Sequence, residues 1–207
     1  MNPGYVSYVL WTVGVILSWS GWHLALAGDQ PVKRMWWFFG LWLLSANVFW
    51  SLPTGWGGSF ALVPLLILLW TEFREMRNRS ELASVCSFGL LVGAVFALVQ
   101  LLDRIDPMVI VLHDRLDPVL AAAALAVCYG RNARVQLALL TVALIVGDTY
   151  LAWLFRAHEP AIVGGRSFQD MWWTTVAAAR LMSAVVQFAT SAYTRLHRLL
   201  RIRRTRR

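Results

Sequence analysis

The sequence has little charge for its length. Only 14% of its 207 residues are charged, whereas 58% are hydrophobic. A soluble domain carries about 25% charged residues, so a soluble chain of this composition would lack the polar surface to cover its core. The hydrophobic residues also form long blocks rather than alternating with polar ones, which indicates helices in a lipid bilayer. We expect one membrane domain, with no soluble domain beside it.

Cysteine, paired histidines and catalytic motifs are also scarce. Cys86 and Cys128 do not have the spacing of a metal site, and we expect free thiols. His23 has no second histidine at a similar depth on another span, which argues against a haem. The sequence contains no H-E-x-x-H, G-x-S-x-G or Walker pattern. We therefore expect a protein that is not an enzyme and that holds no cofactor and no metal ion.

Seven apolar stretches follow one another along the chain. They lie at residues 5–28, 35–52, about 56–71, 82–102, 116–130, 135–155 and 171–194. A helix needs about 20 residues to cross the hydrocarbon core, so the third and fifth stretches must recruit flanking residues or thin the bilayer. The pattern predicts an all-α fold, a polytopic transmembrane helical bundle of about seven spans. The bundle would occupy residues 1–194, and residues 195–207 would form a basic cytoplasmic tail.

The positions of the basic residues predict the orientation of this bundle. If the N-terminus is outside, 14 of the 19 Lys and Arg residues lie on inner segments and four on outer segments, with Arg180 inside a span. Basic residues favour the cytoplasmic side of a membrane protein, and the opposite orientation would invert this ratio. We therefore expect a multi-pass protein of the cell membrane with its N-terminus outside and its C-terminus inside.

The C-terminal tail is rich in arginine and contains leucine between the basic residues. We expect it to continue the seventh helix along the inner membrane surface, where each basic side chain contributes about 1 kcal/mol of attraction to anionic lipids. No aromatic residue follows Tyr193 to stack on bases, which argues against a nucleic-acid partner. The lipid-facing residues of this prediction are Arg195, Arg198, Arg201, Arg203 and Arg204.

Gly89 and Gly93 form a GxxxG pair in the fourth stretch. Two helices approach closely where side chains are missing, so the pair predicts a tight helix contact. We assign this contact to a neighbouring helix of the same chain in preference to a dimer. The expected partners are then the lipid bilayer and the anionic lipids of the inner leaflet, while a homo-oligomer or another membrane protein stays open.

Asp148 and Arg180 lie inside hydrophobic stretches, where an isolated charge costs about 2.5–3.5 kcal/mol on insertion scales. Measured from the ends of their stretches, the two residues have similar depths on neighbouring helices. We predict a buried ion pair between them in the outer half of the membrane. Gln187 follows on the same face of the seventh stretch and would extend a polar stripe. Such a pair either fixes helix register or belongs to a transport or ligand site.

The outer segment between the fourth and fifth stretches contains a small repeat, in which Asp-Arg-x-Asp-Pro occurs at residues 103–107 and again at 114–118. Asp-Pro suits a helix start, with Asp as the cap, so we expect a short interfacial helix after Asp106 and the fifth span after Asp117. The alternative is an outer-loop cation site, although each Asp has an Arg nearby. The candidate residues of this outer-loop site are Asp103, Asp106, His113, Asp114 and Asp117. Asp170 is a further candidate, and it could also cap the seventh span.

The C-terminal half resembles the YphA family of small multi-pass membrane proteins of spore-forming Bacillota. The resemblance lies in Asp106-Pro107, in Gly147-Asp148 with Tyr150, and in Pro160, Val163-Gly164 and Phe168-Gln169-Asp170. It covers roughly residues 100–180, while the N-terminal half is similar only in hydropathy. The resemblance implies a cell-membrane protein linked to sporulation or the spore envelope, with no enzymatic activity carried over.

Two functions follow from these observations. The first is a non-enzymatic integral membrane protein that acts in sporulation or envelope organisation through packed helices. The alternative is a small transporter or ligand-binding bundle that uses the intramembrane Asp148–Arg180 pair. A water-accessible cavity that reaches Asp148 would favour the alternative, and a dry, fully paired bridge would favour the first.

Overall fold

The computed structural model describes residues 2–22, 30–53, 55–76, 78–106, 108, 110–130, 132–157 and 161–205, with side chains as far as residue 194. Seven helices dominate these residues, which confirms the all-α expectation. They are α1 (Tyr5–Trp19), α2 (Val32–Ser45), α3 (Leu62–Glu75), α4 (Arg79–Ile105), α5 (Leu116–Tyr129), α6 (Ala133–Phe155) and α7 (Arg166–Thr205). Three short strands accompany them: β1 (Phe49–Ser51), β2 (Trp56–Ser59) and β3 (Ala161–Val163).

Helices α4 and α6 are the two described helices that are long and apolar enough to cross a membrane. They have 27 and 23 residues, whereas α1 and α5 are apolar but shorter. The two long helices also form the most extensive helix pair of the bundle. Helices α5, α7 and α3 each contact at least one helix of this pair, whereas α1 and α2 pack against α7 and α3.

Glycine allows α4 and α6 to approach closely. A Cβ atom on Gly93 would lie 2.6 Å from the carbonyl oxygen of Ala143, and one on Gly147 would lie 2.8 Å from Cδ1 of Phe96. A Cβ on Gly89 would meet Val142 of the same neighbouring helix at 3.0 Å. The GxxxG pair thus makes a contact inside the chain, as predicted.

The three strands form a small sheet in the order β1-β2-β3, at the end of the bundle that we call the sheet end. Strands β1 and β2 are antiparallel, and β3 runs parallel to β2. This sheet corrects the predicted second and third stretches, because residues 49–51 and 56–59 are strand rather than helix. A Cβ on Gly57 would lie 2.8 Å from the Trp50 carbonyl oxygen, so glycine permits strand pairing here.

The first and last helices also differ from the apolar stretches. Helix α1 ends at Trp19, before Gly21 with a φ of 87°, and residues 23–28 of the predicted span lie outside the described part of the chain. Helix α7 begins at Arg166, five residues before its apolar stretch, and its backbone continues through the basic tail to Thr205. Hydropathy therefore located the apolar part of α7 but not its polar first turn.

Aromatic rings fill the space between α1, α2 and α7. Trp173 stacks on Phe39 with ring centroids 6.2 Å apart and meets Trp42 edge to face at 5.5 Å. Tyr8 of α1 packs against Trp42 at 5.7 Å, and Trp42 is 1% exposed. Trp42 and Trp173 therefore belong to the protein core.

Candidate ligand site at the sheet end

Asp148 is held by the segment between α6 and α7. Its Oδ2 atom accepts a hydrogen bond of 2.8 Å from the backbone N–H of Gly164, just after β3. Gly164 has a φ of 73°, and a Cβ there would lie 2.7 Å from Cγ of Leu62. Because L side chains rarely adopt this conformation, glycine is what allows the segment to lie over Asp148.

Asp148 lines a polar cleft of about 190 Å³ that opens at the sheet end. The guanidinium of Arg104 lines the same cleft and lies over the ring of Phe155, with 4.6 Å between Cζ and the ring centroid. Gln100 adds an amide one turn before Arg104. We call this space the outer cleft, and its polar lining residues are Gln100, Arg104, Asp148 and Ser167.

The predicted ion pair between Asp148 and Arg180 is wrong. Arg180 Nη1 donates to Oε1 of Gln136 at 3.0 Å, whereas Asp148 is held by Gly164. Gln136 and Asp148 lie on the same helix, twelve residues and therefore about 18 Å apart. The error came from the start of α7. Measured from Met171, the start of the apolar stretch, Arg180 would lie about 13 Å along the helix. Because α7 begins at Arg166, it lies about 21 Å along the helix instead.

Arg180 instead belongs to a polar network near the opposite end of the bundle. Gln136 is 1% exposed and donates from Nε2 to the hydroxyl of Ser183 at 2.8 Å and to the carbonyl oxygen of Gly130 at 2.7 Å. Gln187, one turn beyond Ser183, is exposed. The predicted polar stripe through Gln187 is therefore wrong, and Gln136 and Ser183 provide the polar partners inside the bundle.

Two of the predicted outer-loop residues accept hydrogen bonds from nearby backbone N–H groups. Asp117 Oδ2 accepts from the N–H of Val111 at 2.8 Å, and Asp106 Oδ1 accepts from the N–H of Met108 at 3.0 Å. Helix α5 starts at Leu116, two residues before the start predicted after an Asp117 cap, and Arg115 occupies the cap position. Asp117 thus orders the preceding loop rather than capping α5.

His113 and Asp114 form a contact with each other through Nδ1 and Oδ1. Both side chains are more than half exposed. Within the described residues, no group of three or more His, Cys, Asp and Glu side chains is arranged to hold a metal ion. The predicted interfacial helix after Asp106 involves residues 107 and 109, which lie outside the described residues.

Asp170 caps α1 and not α7. Its two carboxylate oxygens accept from the backbone N–H groups of Gly4 and Ser7, each at 2.7 Å, and the side chain is 6% exposed. These N–H groups belong to the first turn of α1, where a carboxylate also opposes the positive end of the helix dipole. Asp170 itself lies inside the first turns of α7, so it cannot cap that helix. The prediction for this residue was therefore wrong.

Asp103, which precedes Arg104 on α4, is buried and 8% exposed. Its Oδ2 atom accepts no hydrogen bond in the structure. The residue lines a second space of about 210 Å³ beside the outer cleft, which we call the Asp103 cavity. Its polar lining residues are Gln100, Asp103, Arg104, Asp114, Arg115 and Ser167.

The opposite end of the bundle carries an ionic cluster that the sequence reasoning missed. Glu75 of α3 contacts Arg34 of α2 at 2.6 Å and Arg134 of α6 at 2.8 Å. Glu72, one turn earlier and 2% exposed, accepts from the amide of Gln30. Glu75 lies beyond the apolar stretch, and the hydrogen bond from Arg34 holds its pKa below the usual range. We call these five residues the inner ionic cluster.

Sequence reasoning named Asp103 only as a candidate ligand of a cation site, and it missed Gln100 and Arg104, the residues of α4 that line both spaces. Gln100, Asp103 and Arg104 recur with spacings of three and four, which places them on one face of a helix. This spacing was visible in the sequence and could have predicted a polar face near the end of the fourth span. For residues 195–205 the structure describes the backbone only. The side chains of the five tail arginines that were predicted to face lipid therefore lie outside the described part of the protein.

Comparison with known proteins gives one result of consequence. Residues 14–205 match the family model described as YphA-like integral membrane protein. No curated protein and no solved structure matches the chain. The family match extends the resemblance seen in the C-terminal half over most of the N-terminal half as well.

Proposed function

Because the chain belongs to the YphA-like family of integral membrane proteins, we propose that it is a non-enzymatic, seven-span protein of the cell membrane that binds a small polar solute in the outer cleft. In this proposal each of α1 to α7 crosses the bilayer. The sheet end faces outward, with the N-terminus, and the basic tail lies in the cytoplasm against anionic lipids. The polar groups of this binding site are Asp148 and Arg104, not the Asp148–Arg180 pair expected from the sequence.

The charge distribution of the sequence supports this orientation. The segments at the sheet end are those with few basic residues, whereas the inner ionic cluster and the tail are rich in arginine. Basic residues near span ends favour the cytoplasmic side. The sheet also has a role in this environment, because its strands pair with each other and so satisfy part of their backbone hydrogen bonding near the lipid.

One observation carries the binding function: the outer cleft reaches Asp148 on α6, a helix that is long and apolar enough to cross a membrane. Asp148 lines about 190 Å³ of open polar space instead of forming a dry bridge with Arg180. Ionisable residues within spanning helices are costly and commonly mark the route or site of a solute. Arg104 and Gln100 supply a donor and an amide on the facing helix, so the cleft can orient a small polar molecule.

Cysteine labelling tests the orientation and the opening of the cleft together. Ser167→Cys places a thiol in the outer cleft, in a background with Cys86→Ser and Cys128→Ser. We expect a membrane-impermeant maleimide, added to intact cells, to label this thiol. The matched control is Ser80→Cys, at the exposed start of α4 on the opposite end, which should react only after the membrane is opened. Labelling of Ser80→Cys and not Ser167→Cys in intact cells would reverse the proposed orientation.

Solute binding is tested with the purified full chain in detergent. A panel of small amines, carboxylates, amides and polyols is screened for a rise in the melting temperature. We expect at least one class to stabilise the protein, and Asp148→Asn to weaken that effect. If no class stabilises the unaltered protein, the binding proposal fails.

Family membership supports a second proposal, in which the protein acts in sporulation or envelope organisation. The resemblance to proteins of spore-forming Bacillota is the basis for it. Deletion of the gene in a spore-forming host should then lower the yield of heat-resistant spores, and the unaltered chain should restore it. Normal spore yield and envelope structure in the deletion strain would exclude this role.

A further inference from the structure

The Asp103 cavity contains a carboxylate that the fold does not neutralise. Asp103 is 8% exposed, yet its Oδ2 accepts no hydrogen bond in the structure. A buried carboxylate is normally paired or fully hydrogen-bonded, because burial removes the water that stabilises its charge. Asp148 and Asp170, by comparison, both accept backbone N–H groups. Asp103 is therefore the exception among the buried aspartates of this end.

The charged groups around the cavity leave this oxygen without a partner. Asp114, a second carboxylate, lines the same cavity. Arg104 and Arg115 also line it, but neither donates a hydrogen bond to Asp103 Oδ2, and the guanidinium of Arg104 lies over the ring of Phe155. Asp103 therefore keeps an acceptor for a further cationic donor.

We propose that the Asp103 cavity binds the ammonium group of a small organic amine, with Asp103 as its counter-ion. This inference rests on the proposed function, since it names the chemical class of the solute in the outer cleft. An ammonium group has three N–H donors. Asp103, the amide oxygen of Gln100 and the hydroxyl of Ser167 line the cavity as acceptors for them.

An organic amine fits this cavity better than a metal ion. Calcium takes six to eight oxygen ligands, and magnesium requires near-octahedral geometry. The described residues offer no group of three or more acidic or histidine side chains arranged for a metal. The cavity volume of about 210 Å³ also exceeds the space that a single bare ion needs. An ammonium group can use the few acceptors present and leave room for its carbon chain.

The outer cleft and the Asp103 cavity are adjacent. They share the lining residues Gln100, Arg104, Ser167 and Met171. A ligand whose amine lies at Asp103 would therefore extend its remaining atoms toward Arg104 and Asp148. This arrangement gives the two aspartates different tasks, with Asp103 binding the charge and Asp148 positioning the polar remainder.

The test uses the full chain in detergent and three probes of nearly equal size: n-propylamine, propionate and propionamide. We expect n-propylamine to raise the melting temperature, and Asp103→Asn to weaken its apparent affinity by about tenfold or more, because a charged hydrogen bond is lost. The matched control is Asp106→Asn, which makes the same change three residues further on at an exposed side chain. Asp106→Asn should leave the affinity for n-propylamine unchanged.

The basal stability of Asp103→Asn provides a second readout. Because the buried charge is unpaired, its removal should raise the melting temperature of the ligand-free protein. A lower melting temperature for Asp103→Asn would show that the fold already pairs this carboxylate, and would overturn the proposal.

The outcomes separate this inference from the proposed function. If propionate or propionamide binds in an Asp148-dependent manner and n-propylamine does not, the amine assignment is overturned while the outer cleft still binds a solute. If calcium or magnesium chloride stabilises the protein through Asp103 and n-propylamine does not, a metal replaces the amine. If none of the three probes binds, the amine inference fails, and the full solute panel decides the proposed function separately.

Discussion

The carboxylates at the two ends of the bundle have different kinds of partners. At the sheet end, Asp148 and Asp170 accept hydrogen bonds from backbone N–H groups, and Asp103 Oδ2 accepts none in the structure. At the opposite end, Glu75 contacts two arginine side chains at 2.6 and 2.8 Å. The first arrangement orders loops and leaves open polar space, whereas the second ties three helices together.

This difference indicates which end can change its contacts. An arginine–carboxylate pair is neutralised inside the protein and has little to gain from a ligand. A carboxylate held by one N–H group, or by none, keeps acceptor capacity for a solute. We therefore interpret the sheet end as the binding end and the inner ionic cluster as the fixed end. The following changes test that distinction.

The largest effect is expected from closing the space that Gly164 leaves open. Gly164→Ala introduces a Cβ at a φ of 73° and 2.7 Å from Cγ of Leu62. Strain and overpacking together should lower the free energy of unfolding by about 3 kcal/mol. They should also displace the N–H that Asp148 accepts, which weakens solute binding. Chemical denaturation and the solute panel measure the two effects.

The neighbouring Gly165 provides the control for that experiment. A Cβ at Gly165 would meet its nearest atom, in Ile162, at 3.7 Å, which is ordinary contact. Gly165→Ala should therefore leave stability nearly unchanged. Equal losses in both variants would show that any added side chain disturbs this segment, and would remove the special role of Gly164.

The next effect concerns the cap of α1. Asp170→Ala leaves the N–H groups of Gly4 and Ser7 without their acceptor in a buried position. We expect a loss of about 2 kcal/mol in unfolding free energy and faster proteolysis near the N-terminus. Asp170→Asn keeps one carbonyl acceptor and should lose less. A stability for Asp170→Ala equal to that of the unaltered chain would contradict the capping role.

A smaller effect is expected at the opposite end. Glu75→Gln removes the charge between Arg34 and Arg134, and because the side chains are partly exposed the loss should be about 1 kcal/mol. The loss should shrink at high salt, and solute binding at the sheet end should not change. Glu81→Gln, at an exposed position in the first turn of α4, is the control and should have less effect. A change in solute affinity in Glu75→Gln would show that the two ends are coupled.

The smallest effect is the pH dependence of the same cluster. Arg34 holds the pKa of Glu75 below its unfolded value, so its contribution to stability is complete above the ordinary glutamate range. The contribution is lost as the pH falls through the lowered pKa of the folded state. The melting temperature of the unaltered chain should therefore fall more steeply in acid than that of Glu75→Gln. Parallel curves would show that this cluster contributes nothing to acid stability.

The sequence predicted helices better than it predicted partners. The fifth and sixth stretches agree with α5 and α6 within a few residues, because long apolar runs mark helices independently of their neighbours. The sheet was missed because its strands have only three or four residues, too few to show an alternating pattern, and β2 contains two adjacent glycines. The partner of Asp148 was wrong because apolar stretches do not show where the polar first turn of α7 begins.

By itself, the sequence determined that this is a helical protein of the lipid membrane and indicated its family. Low charge content and long apolar runs can be read from the sequence without knowledge of tertiary contacts. Only the tertiary structure decided that Asp148 meets Gly164, that Asp170 caps α1, and that Asp103 Oδ2 accepts no hydrogen bond. These contacts join residues that are distant along the chain or depend on the exact ends of helices. Such contacts follow from how helices pack, and no local pattern records them.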